Sequence, residues 1–561
     1  MKRLLSFILL LAVLFTLPAC GENPIETSVS STESTTESTV ESTTETAAPV
    51  VVLPNGATLP AHVELSEVIA TLNEERSQYF QKNDFAGFEQ YAPNDPTVKG
   101  LLTEEEAAAL QENRSLSKMA LSYEEAVSEI DLCFRMLKCA YGGYYYFGGD
   151  EAFDAAKEAI IADLPTDGGI PASLLASLYK KHLAFIVDGH FSIGGSGLVS
   201  GNASLQYSYY YGKDQAYLKD EKGYYKTIDG AKWYFGGFTG SGKNAEMKLT
   251  LLESGDIVYA PVLWSPSALV NVRDTLIMTR DGSQITEDVK WEKHSNYSPT
   301  GGGDKLGFKQ FDIFDIVYTS VRSFSLNAYD KKLQEFVSTA PGMIGAKAII
   351  LDIRGNGGGS TLYAKQWLQS FAGIMAKACD VWLHRYNPIC ENARSKVGEE
   401  HDEYTVTEPR KLNNSYPVFI LADSNVASAG EDMIHEFHCL NNTVVIGSNT
   451  RGCMICGNVD TYHLPTSGIQ FYFGSSLSFY GEITNRDGMG LAPDIWCDPS
   501  YAFEALVNMF LKYGYLDAEN ENALWDEALA IGLYCRAPAG RDFLAVQPTG
   551  EDRKRKNILS V

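Results

Sequence analysis

The sequence predicts an α/β protein, and three observations carry that prediction. Residues 346–352 form a continuous apolar run, the pattern of a strand buried on both faces of a sheet. Segments of strand and helix character alternate from residue 311 to 494. A second apolar strand, 417–423, leads directly into a helical stretch at 430–440. Alternation of this kind implies a mostly parallel sheet with its site at the C-terminal ends of the strands.

The elements before this domain differ in character. Lys2 and Arg3 precede an apolar stretch, residues 4–17, too short to span a bilayer comfortably. Residues 1–20 therefore predict an export signal. Leu17-Pro18-Ala19-Cys20 resembles a bacterial lipobox, which implies cleavage before Cys20 and lipid attachment to it. Residues 21–56 are rich in Ser, Thr and Glu and predict a disordered spacer that stands the rest off a membrane. Residues 57–190 predict a helical domain, with helical apolar spacing at 123–136, 151–164 and 174–185. Residues 191–300 are dense in Tyr and Gly with short alternating runs, predicting a β-rich module. The α/β domain occupies 301–500. A helical extension and the basic run Arg553–Lys556 fill 501–561.

Formal charge is -25, from 71 acidic and 46 basic residues, which argues against a nucleic-acid partner. Nine cysteines besides Cys20 are too few for a disulfide scaffold in a chain this long. Cys453-Met-Ile-Cys456 has redox or half-zinc spacing, but no second pair follows, leaving a local disulfide or two small core residues as the plainer reading. His435-Glu-Phe-His438 lacks the spacing of a zinc protease. The sequence carries no cofactor signal and predicts no metal.

Ser428 lies between small residues where the strand turns into the helix, within Val426-Ala-Ser-Ala-Gly-Glu431. Such a turn admits close substrate approach and offers helix N-terminal amides to an oxyanion; a serine here is also an ordinary N-cap. Leu351-Asp-Ile-Arg-Gly-Asn-Gly-Gly-Gly-Ser360 follows the buried strand, without the Lys of a phosphate loop. With Val445-Ile-Gly447 and Gly490-Leu-Ala-Pro-Asp494, these motifs resemble, in order, the tail-specific (C-terminal-processing) protease family.

That resemblance implies a crotonase-like catalytic domain with Ser428 as nucleophile. It also implies an oxyanion hole from the amides of Ala429 and Gly358. One branch of the family uses a lysine base about 25 residues after the serine; here that position is Cys453, and Arg451 cannot replace it because a guanidinium does not deprotonate. The tricorn-like branch uses a histidine from an Asp-Gly-His turn, matched by Asp188-Gly189-His190, and an acidic residue six positions before the motif proline, matched by Asp487. Asp487 is expected to orient a protonated His190. His435, His438 and His463 are the alternative bases, and Glu431 is expected to cap or charge the serine helix. The tail-binding module of the lysine-dependent branch is represented only by the fragment Lys305-Leu-Gly-Phe308. The expected protein is a lipid-anchored, extracytoplasmic serine peptidase acting on peptides or unfolded proteins. The alternative is an inactive member that binds peptides or other ligands at the cell surface.

Overall fold

The computed structural model describes residues 51–533 apart from 53–57, 60–62, 80–84, 94, 118, 201–206, 267–272, 296, 298–307, 326–329, 379, 386–388, 390–402 and 532. The export signal, Cys20, most of the Ser/Thr-rich spacer, the basic tail and all but Phe308 of the Lys305–Phe308 fragment lie outside the described residues.

The expected parallel sheet is present. Ile316–Val321, Ala348–Asp352, Val418–Ala422, Thr443–Gly447 and Ile495–Trp496 pair side by side in parallel. Phe308–Ile313 closes one edge antiparallel. All five residues of the strands beginning at Ala348, Val418 and Thr443 are buried, because helices cover both faces. Helices Asp330–Thr339, Leu362–Ala372 and Ala429–Phe437 pack Trp367, Phe336 and Phe437 onto one face. Leu65–Tyr79, Ala502–Lys512 and Glu521–Ala530 cover the other face through Leu65, Phe503 and Trp525.

The β-rich region does not make a sheet of its own. Strand Ala245–Leu251 pairs parallel with Ile495–Trp496 at Thr250 and Trp496, so the strands of residues 207–293, together with Val51–Val52 and Thr58–Leu59, extend the α/β sheet into one of sixteen strands. The alternating Tyr-rich pattern is real, but edge pairing, which leaves no local sequence trace, joins the two regions.

Helices Tyr123–Ala140, Gly149–Ala162 and Ala172–His182 share one core with a second sheet built around Gln470–Tyr480. Glu129, buried in the first of these helices, accepts the amides of Thr466 and Ser467 at 2.7 and 2.8 Å. Ser192–Ile193 pairs with Tyr472 and Phe471 of that sheet, which anchors the chain two residues after His190.

Candidate active site

Ser428 occupies the turn between Val418–Ala422 and Ala429–Phe437 with φ 55° and ψ -124°. That is a sparsely populated region for a residue with a side chain, so its surroundings must hold it. The Gly-rich loop does so. Ala427 donates to the Asn356 carbonyl at 3.0 Å. A Cβ on Gly430 would lie 2.8 Å from that same oxygen, and one on Gly358 would lie 2.8 Å from the Ser428 Cβ. The loop is itself fixed: the Asp423 carboxylate accepts the Gly355 amide at 2.8 Å, and Asp352 is clasped by Arg322 and Arg354.

The two expected oxyanion donors are placed differently. Ala429 is the first residue of the helix, beside Ser428. Gly358 touches the serine turn, but its amide donates to the Asn356 side-chain oxygen at 2.9 Å, so it is engaged within its own loop.

Glu431 does more than cap the helix. Fully buried, it accepts the Ser428 amide at 2.9 Å and also the Thr450 hydroxyl and the Gly452 and Cys453 amides at 2.5, 2.8 and 2.9 Å. Burial pushes its carboxyl up to about 7, opposed by those hydrogen bonds. It ties the serine turn to residues 450–453, the segment in which a base lysine would stand.

The Asp188-Gly189-His190 turn rests on that same segment. A Cβ on Gly189 would lie 2.7 Å from the Gly452 carbonyl oxygen and 2.9 Å from the Cys453 Cα. Although 238 residues separate His190 from Ser428 in the chain, both turns abut residues 452–453.

Asp487 is buried beside them but does not bond to the imidazole as expected. Its Oδ2 accepts the Gly189 amide at 2.7 Å, and its Oδ1 accepts the Met454 and Ile455 amides at 2.7 and 3.1 Å. Any orientation it gives to His190 therefore runs through the main chain. Asp188, with no exposed surface, accepts the Tyr141 hydroxyl at 2.9 Å and the His190 amide at 2.8 Å. Burial raises both aspartates, Asp188 to about 7, with Asp487 adding repulsion. Burial pushes the His190 imidazole down to about 4, so it is neutral at pH 7. Its Nδ1 has no hydrogen-bond partner among the described residues.

The alternative histidines lie elsewhere. His435 is seven residues along the serine's own helix, about 10 Å along its axis, edge-on to Tyr480. His438 caps the far end of that helix, and His463 ends the strand Cys456–His463 beside Gln470. Cys453 and Cys456 are both free, buried thiols, the small-core-residue reading. No cluster of three or more His, Cys, Asp or Glu able to hold a metal occurs among the described residues. Three contributors went unread in the sequence: Asn356, Tyr141 and the clamping role of Glu431. Only the last left a trace, in the Ser-x-x-Glu spacing.

Residues 315–495 match the family model of peptidase family S41. No curated protein matches the chain. Among solved structures it is similar to mature CPAF, at 12% identity over 73% of this chain and 98% of that one, with TM-score 0.34. The photosystem II D1 C-terminal processing protease aligns at 14% identity over 67% and 93%, with TM-score 0.33. A lipoprotein from Streptococcus agalactiae aligns at 12% over 68% and 94%, with TM-score 0.31. The stretch that matches peptidase family S41, residues 315–495, spans the Gly-rich loop, the Ser428 turn and Gly490–Asp494, the motifs that resemble tail-specific proteases.

Proposed function

We propose that the chain is a serine peptidase of the extracytoplasmic face, tethered through a lipid on Cys20, whose crotonase-like domain cleaves peptides or unfolded proteins by Ser–His acyl-enzyme chemistry. The supporting observation is the meeting of the serine and histidine turns on residues 452–453, where the lysine-dependent branch would carry its base. In this reading Ser428 Oγ attacks the scissile carbonyl, and the neutral His190 imidazole takes its proton and passes it to the leaving amine. Water then releases the acyl group by the same path reversed. The Ala429 amide faces the oxyanion, joined by Gly358 if the Asn356 side chain releases it.

An imidazole held near 4 is correctly unprotonated but is a weak base, so slow turnover is expected. The test is fluorophosphonate labelling of the purified chain beside Ser428→Ala and His190→Ala. Labelling that both substitutions abolish, with thermal melts almost unchanged, supports the reading; labelling that survives Ser428→Ala overturns it. A second reading, a catalytically silent peptide-binding member, is favoured by the engaged Gly358 amide and the absence of a carboxylate hydrogen bond to His190 among the described residues. It predicts no labelling of the folded protein, with peptide binding that Ser428→Ala leaves intact.

A further inference from the structure

A cavity of about 340 Å³ opens beside the two turns. Its wall includes Gly189, next to His190, and Asn425, three residues before Ser428. Arg451 lines it from the segment the two turns share, and Lys293 and Tyr209 line it from the β-rich region. The pairing of the β-rich strands onto the α/β sheet is what brings these walls together.

Two features single this cavity out. First, its two cations are uncompensated. Arg451 and Lys293 are exposed, and neither forms an ion pair with any described residue. Neighbouring Lys213 and Lys290 both pair with Glu292. In a chain with formal charge -25, two free cations converging on one cavity are a local reversal of sign. Second, His294 lines the cavity with both ring nitrogens buried and unpartnered among the described residues. Its ring packs against Tyr211 and Trp496 at 4.9 and 5.8 Å between centroids, so it is held in place without its hydrogen bonds. A buried polar group without a partner is costly unless a ligand or water supplies one.

We infer that this cavity is a carboxylate subsite for the substrate, in which Arg451 and Lys293 select peptides carrying an internal acidic side chain near the bond to be cut. The inference rests on the peptidase reading of the neighbouring turns. A guanidinium suits the role because it receives a carboxylate through two parallel hydrogen bonds, and Lys293 adds a mobile charge at the rim. The aromatic ring of Tyr209 and the His294 imidazole offer the apolar and hydrogen-bonding surface on which the rest of that residue would lie.

The experiment uses the full chain as Ser428→Ala, so that binding is read without cleavage. The probes are fluorescein-labelled alanine-rich decapeptides carrying Glu, Gln or Lys at the centre, each ending in an amide so that no terminal carboxylate competes. Anisotropy should show the Glu peptide binding roughly 10- to 100-fold more tightly than the Gln peptide. Adding Arg451→Glu or Lys293→Glu should remove that preference and favour the Lys peptide, while Arg451→Lys should keep part of it. Equal binding of the Glu, Gln and Lys peptides, or a preference untouched by both charge reversals, overturns the inference. Hydrolysis of peptides by the unsubstituted chain separates the two claims. Cleavage without charge preference keeps the peptidase and sinks the subsite; charge-selective binding without cleavage does the reverse.

Discussion

The serine turn and the histidine turn meet on the same two residues, yet they are held there by different means. The serine turn is built almost entirely from neighbours in sequence or in strand order: the end of Val418–Ala422, the loop after Ala348–Asp352, and Glu431 three residues on. The histidine turn has no long element under it. Its anchors are buried carboxylates, Asp188 within it and Asp487 from 298 positions away, with the Asn485 side chain donating to the Val187 carbonyl at 2.7 Å. The first is fixed by sheet register, the second by polar contacts that form only when distant segments have docked.

The two halves should therefore break differently. Gly189→Ala places a methyl group against the backbone of Gly452 and Cys453, which cannot swing aside. It should displace His190 from Ser428 and, on the proposed Ser–His reading, cost on the order of 100-fold in fluorophosphonate labelling rate, the scale on which small misplacements act. The melt should fall by only about 1–3 kcal/mol. Gly358→Ala attacks the serine side, where φ is +99° and the Ala427 oxygen lies 2.8 Å from the added carbon. Its effect should fall more heavily on stability, since backbone strain adds to the clash. Equal effects of the two on labelling and melt would remove the distinction.

Asp487→Asn tests the long-range anchor at a smaller scale. The carboxylate accepts three amides, and an asparagine NH₂ facing one of them cannot. A loss of about 1–3 kcal/mol in the melt is expected, with peptide turnover falling further than Ser428 accessibility to small probes. A variant that melts like the parent would show that the carboxylate anchors nothing.

This contrast also explains how much was legible in the sequence. The buried strands 346–352 and 417–423 read correctly because burial on both faces leaves a continuous apolar run. Ser428 read as a site because the small residues around it are demanded by close backbone approach within one local unit. His190 could be named only through family resemblance, since nothing in residues 188–190 records what they pack against. Asp487 is legible as an acid by the same resemblance, while its partners, the Gly189, Met454 and Ile455 amides, leave no trace in local sequence. The merging of the β-rich region into the main sheet depends on pairing at Thr250 and Trp496, which no pattern of hydropathy encodes.

A pH profile sharpens the comparison further. With burial holding His190 near 4, the acid limb of kcat/KM should lie near pH 4 to 5, well below the limb near 6.5 of an exposed imidazole. A limb at 6.5 would mean either that the base is another group or that the turn opens in solution.

The smallest effect expected lies behind the serine helix. Burial raises Glu436 to about 7, against the attraction of Lys365 at 3.2 Å, and one carboxylate oxygen has no partner among the described residues. A carboxyl raised in the folded state binds its proton more tightly there than in the unfolded chain. Its contribution is thus fully present below the unfolded value near 4.5 and is lost as pH rises through 7. Glu436→Gln removes this titration. Between pH 5 and 7 the stability of the parent relative to the variant should fall by at most about 1.4 kcal/mol per pH unit, read as the difference of two denaturation series. His190, which titrates with the opposite sign, is common to both proteins and cancels. A difference that stays flat across this range would mean that Glu436 is hydrated and that the back of the serine helix is open to water.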